Sequence, residues 1–106
     1  MSTTTAGDLS GSRSISEAIR LLKVLANPER LRLLCRLVDG ECHVSALQEA
    51  LQIQQPTLSQ QLAVLRREDL VATRREGKQI HYRISDPRIE QIILTLHQQV
   101  CNLEHS

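Results

Sequence analysis

The sequence contains no tryptophan, no phenylalanine and a single tyrosine, Tyr82. A core without aromatic rings must be filled by Leu, Ile, Val and Ala, which favours packed helices over an aromatic-rich β-sandwich. Charge of one sign is also missing. Thirteen basic and 12 acidic residues leave a formal net charge of +1, so no global basic field announces nucleic acid. No apolar run is long enough to span a membrane, and the N-terminus lacks the apolar stretch of a secretory signal. The Ser-, Thr- and Gly-rich segment 1–13 reads as a disordered tail before one domain over 14–106, in a cytoplasmic protein. Cysteines are few and odd in number: Cys35, Cys42 and Cys101, with no Cys-x-x-Cys. That argues against a disulfide framework and leaves room for metal or redox chemistry. There are no internal repeats, and no cofactor is expected.

What the chain does have is helical punctuation. Ser14-Ile15-Ser16-Glu17 fits a capping box, and Ile15, Ile19, Leu22 and Leu25 follow at helical spacing. Asn27-Pro28 closes that helix and caps the next, whose apolar stripe is Leu31, Leu34, Cys35 and Val38, stopped by Gly40. Cys42-His43-Val44 reads as an extended link. Ser45-Ala46-Leu47-Gln48 fits a second capping box, opening a short helix to about Leu51. After a turn, Pro56 opens a helix that carries Leu58, Leu62 and Leu65 inward and ends near Asp69. The period then changes. Val71–Arg75 and Gln79–Ile84 read as two strands, with Glu76-Gly77-Lys78 as the turn. Asp86-Pro87 starts a last helix with Ile89, Ile92, Ile93, Leu96, Val100 and Leu103 inward.

This order predicts a mainly α, winged helix-turn-helix fold: five helices plus a two-stranded β-hairpin wing. The first and last helices carry more apolar surface than so small a domain needs, so a homodimer joined through them is expected. The alternative is that both faces pack within one chain.

The second helix of such a motif enters the DNA major groove, where Gln matches adenine and Ser or Thr meets several base edges. Gln55, Thr57, Ser59, Gln60 and Gln61 supply those side chains at the start of the helix. Arg66 and Arg67 at its end, and Arg74, Arg75 and Lys78 on the hairpin, are placed for phosphate. Between Gln55 and Ile84 six basic residues face three acidic ones, a local excess that the whole-chain balance hides. Double-stranded operator DNA is therefore the expected partner, with no membrane and no catalysis. Taken singly, the same polar residues are also what any solvated helix face carries.

The residues also carry a resemblance. Leu25-Ala26-Asn27-Pro28-Glu29-Arg30-Leu31-Arg32-Leu33-Leu34 resembles the second-helix signature of the ArsR-type repressor family. Gln55–Arg66 resembles its recognition helix, and Gly77-Lys78-Gln79-Ile80-His81-Tyr82-Arg83-Ile84 its wing. The resemblance runs from about Ser16 to Cys101. It implies a homodimeric repressor that leaves its operator when an inducer binds.

It also implies sites to test. The arsenic-type Cys-Val-Cys positions hold His43 and Ser45. The zinc-type site on the last helix reads Asp86-Pro87-Arg88, with Gln99 and Asn102 at the later ligand positions, and a cation there opposes Zn²⁺. No metal site is expected in either place. Cys35 and Cys101 instead resemble the sulfide- and redox-responsive branch of the family. The resemblance implies that inorganic polysulfide or a low-molecular-weight persulfide joins the two through a disulfide or a longer sulfur bridge. Arg32, one turn before Cys35, favours its thiolate, while His97 and the helix C-terminus act oppositely on Cys101. Read from its stripe alone, without Cys101 or the resemblance, Cys35 is a small core residue. Cys42 reads as an exposed loop thiol, His81 as a strand residue facing solvent or DNA, His97 as a boundary residue and His105 as part of the tail. Three other readings stay open: a metal or metalloid sensor using Cys42 with His43 or Cys101 with His97, a thiol redox enzyme, and a protein-interaction module without DNA binding.

Overall fold

A computed structural model describes residues 11–105, with side chains as far as Cys101. Of the expected tail over 1–13, residues 1–10 lie outside the described residues, as do the side chains of Leu103 and His105, while Ser12 and Arg13 are helical and not part of a tail. The order is α1 (Ser12–Leu25), α2 (Pro28–Val38), β1 (Cys42–His43), α3 (Val44–Leu51), α4 (Thr57–Arg67), β2 (Val71–Glu76), β3 (Gln79–Ile84) and α5 (Pro87–His105). The winged helix-turn-helix is present, with five helices as expected. The wing is a three-stranded antiparallel sheet, not a two-stranded one: β1 adds to β3, pairing Cys42 with Tyr82 and His43 with His81, in the order β1-β3-β2.

Two of the proline signals work as read. Asn27 accepts a bond from the Arg30 amide at 3.0 Å, capping α2, and Asp86 Oδ1 accepts from the Arg88 amide at 2.9 Å, capping α5. Neither capping box forms. α1 starts earlier, at Ser12, with Gly11 as its cap, which puts Ser14 inside the helix and leaves Glu17 to pair with arginines. α3 starts at Val44, capped by extended backbone at His43, so Ser45 is an exposed residue within the helix. Pairing of His43 with β3 fixes that start one residue before the serine.

α4 ends by chemistry that the sequence does not advertise. The Leu70 amide reaches Leu65 O and the Asp69 amide reaches Arg66 O, both at 3.0 Å, with Asp69 in the left-handed region at φ 64°. This is a Schellman stop with aspartate where glycine is usual. It turns the chain so that Leu70 and Val71 enter the core. At the wing tip Gly77, at φ 63°, takes the first place of a two-residue loop between the paired Glu76 and Gln79.

The core is aliphatic. Leu33, Leu34, Leu47, Leu58, Leu65, Leu70 and Ile89 are fully buried. α1 meets this core through Leu21, Val24 and Leu25, and α5 through Ile89 and Ile93. Ile15, Ile19 and Leu22 on α1, and Leu96 and Val100 on α5, point away from it; Leu22 is 62% and Val100 53% exposed. The inward assignment of Leu96 and Val100 is thus corrected within one chain. Among the described residues no helix is long and apolar enough to cross a membrane.

Truncating a buried leucine costs its transfer energy plus a cavity. Leu65→Ala is expected to lower the unfolding free energy in urea by about 2–5 kcal/mol. A loss below about 0.5 kcal/mol, the scale of surface substitutions, contradicts this placement.

Candidate nucleic-acid interface and thiol pair

Three buried leucines, Leu58, Leu62 and Leu65, fix the roll of α4. Ser59, Gln60, Ala63, Arg66 and Arg67 are consequently exposed along one face, preceded by exposed Gln55. The Ser59 hydroxyl donates to Gln55 Oε1, tying the turn to the helix start. This face is polar at its N-terminal end and cationic at its C-terminal end, as base edges flanked by phosphate require.

Two expected readers stand elsewhere. Thr57 is half-buried at the first turn of α4. Gln61 lies on the flank toward α1 and α2, where its Oε1 accepts from Arg30 Nη1 at 2.9 Å. The wing arginines also differ from one another. Lys78 and Arg75 are exposed at the tip, Arg75 bonding only to Gly77 O at 3.3 Å. Arg74 is committed to Glu41, whose Oε1 lies 2.6 Å from its Nη2, with Glu76 at 3.5 Å. Arg74 therefore braces the wing root in this structure, and the Glu41 carboxyl is held below its usual range by that guanidinium.

The wing root also corrects His81. Its side chain is only 14% exposed and leans on His43, with ring centroids 5.5 Å apart. Its Nε2 is buried and lacks a hydrogen bond, with Glu76 Oε1 at 3.4 Å out of alignment. Cys42 is corrected as well. Strand pairing with Tyr82 turns its thiol into the core, where it is 4% exposed. It is not a loop thiol and is not presented for a ligand set with His43. Among the described residues no group of three or more His, Cys, Asp and Glu is placed to hold a metal ion.

Cys35 is exposed on α2, so it is not a core residue. α2 packs against α5, and Cys101 is half-buried there. Partial desolvation where α2 packs against its neighbours pushes the Cys35 thiol up, and Cys101 adds to the rise. The expected help from Arg32 is absent, since its Nη2 is turned to Leu51 O at 2.5 Å. Cys35 opens on a cleft of about 570 Å³ whose wall includes Leu31, Leu51, Ile93 and His97.

An ionic chain joins α5 to α4 through α1. Arg88 holds Asp86 at 2.7 Å and Glu17 at 2.9 Å; Arg20 holds Glu17 at 2.9 Å and Glu68 at 2.8 Å. Arg88, where a zinc-type site has a ligand, thus consumes the Asp86 carboxylate. Bonds from Arg20 and Arg88 hold the Glu17 carboxyl at about 2, against an ordinary 4.5. A depressed carboxylate keeps its pairs at and above the ordinary range and loses them as pH falls through the lowered value. Carboxyl NMR is expected to show Glu17 titrating near 2 and moving up toward 4.5 in Arg88→Ala. An unmoved midpoint contradicts the chain.

Known proteins resemble this chain in sequence and in fold. Residues 27–73 match the profile of bacterial regulatory proteins of the arsR family. The chain is 46% identical over 89 residues to the biofilm growth-associated repressor of Xylella fastidiosa (strain Temecula1), covering 84% of this chain and 78% of that one. It is 40% identical over 89 residues to the transcriptional activator HlyU of Vibrio cholerae, covering 84% and 82%. The crystal structure of the transcriptional repressor BigR from Xylella fastidiosa superposes with a TM-score of 0.83 at 43% identity, over 90% of this chain and 95% of that one. With its helix-turn-helix, wing and helix order all in place, this chain belongs to the arsR family of bacterial regulatory proteins.

Proposed function

We propose that the protein is a homodimeric repressor that occupies operator DNA through α4 and the wing, and leaves it when Cys35 and Cys101 are joined by sulfur. The observation that carries this reading is the pair itself: an exposed thiol on α2 and a half-buried thiol on α5, two helices that pack against each other. The likeness to a protein named as a growth-associated repressor supports the regulatory sense.

The chemistry needs a donor of oxidised sulfur, here a persulfide RSSH or inorganic polysulfide. One cysteine thiolate attacks the outer sulfur, breaking the donor S–S bond and releasing RSH. The other thiolate then attacks the cysteine-bound sulfur of that new persulfide, forming the disulfide and releasing hydrosulfide. Both thiols are oxidised, and the donor's sulfur leaves reduced. A second donor molecule extends the bridge by one sulfur. Attack requires thiolate, so the raised Cys35 thiol makes linking faster as pH rises.

Intact-mass analysis after polysulfide treatment tests this step. The expected product is a chain lacking two hydrogens, plus one sulfur for each inserted atom, with peptides of Cys35 and Cys101 linked and Cys42 free. Cys35→Ser is expected to remain unlinked. Linkage through Cys42, or no linkage, contradicts the proposal.

The dimer reading rests on Ile15, Ile19 and Leu22 of α1 and Leu96 and Val100 of α5, which one chain leaves in water. A two-fold axis joining these faces sets paired α4 helices for half-sites about 34–36 Å apart. Sedimentation equilibrium is expected to give twice the chain mass, and Ile19→Glu with Leu22→Glu the mass of one chain. A monomeric wild type contradicts it.

A further inference from the structure

The side chain of Arg30 makes three contacts that no DNA-reading role explains. Its Nε donates to Val24 O at 2.7 Å, its Nη2 to Lys23 O at 3.2 Å and its Nη1 to Gln61 Oε1 at 2.9 Å. The first two have a local cause. Val24 is four residues before Pro28, and proline has no N–H to continue the helical ladder. The C-terminal carbonyls of α1 therefore need donors from elsewhere, and the planar guanidinium supplies them. Held there, it has one edge left, and that edge faces α4.

A guanidinium only donates, so the Gln61 atom that faces it is the carbonyl oxygen. Gln61 is half-buried and shares its flank of α4 with Val64 and Glu68; the exposed face is that of Ser59, Gln60, Ala63, Arg66 and Arg67. Glu68, at the far end of the same flank, is likewise held, by Arg20 Nη1 to its Oε1 at 2.8 Å and its carbonyl at 3.1 Å. Two arginines from α1 and α2 thus grip one side of α4, seven residues apart on it.

We infer that Arg30 is a positioning residue for DNA binding, and that Gln61 is its receptor on α4, not a reader of bases. The inference rests on α4 being the DNA-facing helix and is independent of the thiol chemistry. Arg30 stands on the same helix as Cys35, five residues before it.

The test is selection of binding sites from a random-sequence duplex pool, then affinity for the selected duplex at fixed salt, well below each variant's melting temperature. Selection of a defined site by the wild type is the control for the underlying reading; its failure removes α4 as a reader without bearing on the grip. Gln61→Glu keeps the acceptor for Arg30 and removes the donor. A base-reading glutamine changed to glutamate shifts preference toward cytosine, whose amino group glutamate accepts. The expected result is an unchanged selected sequence in Gln61→Glu. Gln61→Ala is expected to weaken binding roughly tenfold, the loss of one charge-assisted hydrogen bond, and Arg30→Ala, which also loses its bonds to α1, by at least as much. The double variant is expected to be no weaker than the poorer single one, since both remove the same contact. If Arg30→Ala does not fold, Gln61→Ala decides, because it leaves the bonds of Arg30 to α1 intact. A changed base preference in Gln61→Glu, wild-type affinity in Gln61→Ala, or additive losses overturn the inference.

Discussion

The burial of α2 is the constraint on which the rest of the structure depends. Leu33 and Leu34 are wholly buried and Leu37 nearly so, and α1, α3, α4, α5 and β3 all pack against this one helix. With no aromatic ring beyond Tyr82 to fill space, each neighbour must approach close enough for aliphatic side chains to interdigitate. Any element moved relative to α2 therefore opens a gap or a clash. That rigidity makes a helix with only a short exposed strip a useful place for a reactive thiol. Cys35 lies on that strip, while the opposite side of α2 holds the recognition helix through leucine contacts and Arg30.

The polar contacts divide in the same way. Buried leucines fix the axis and roll of α4, and two arginines brace that orientation from one flank: Arg30 from α2, and Arg20 from α1. The second of these continues through Glu17 and Arg88 to α5. α4 is thus tied by charge-assisted bonds to both helices that carry the two thiols, directly in one case and through α1 in the other. Such bonds hold well at their optimum geometry and weaken steeply when it changes.

Most of the fold was legible in the sequence because its signals are local. Asn27-Pro28 and Asp86-Pro87 cap helices within a few residues, Leu58, Leu62 and Leu65 share one helical face, and Gly77 marks the wing turn. The misreadings have physical reasons. β1 is two residues long, too short for a strand period to show. Ser14 and Ser45 have the spacing of capping boxes, but α1 begins two residues earlier, at Ser12, and strand pairing of His43 starts α3 before Ser45. Leu96 and Val100 lie at helical spacing, and spacing cannot say which surface an apolar face meets. Burial of Cys42 follows from strand pairing, and the commitment of Gln61 from a contact 31 residues away in sequence. The polar and cationic face of α4 was thus legible as a stretch of chain, and the commitment of Gln61 and Arg74 to contacts within the protein was not.

The central claim is that sulfur chemistry on α2 and α5 governs whether α4 engages DNA. Fluorescence anisotropy of a selected duplex, measured with reduced and polysulfide-treated protein at one salt concentration, tests it most directly. The account predicts tight binding by the reduced protein, binding lost on treatment and recovered with a dithiol, and a Cys35→Ser protein that binds equally before and after. Equal binding by treated and reduced wild type would contradict it.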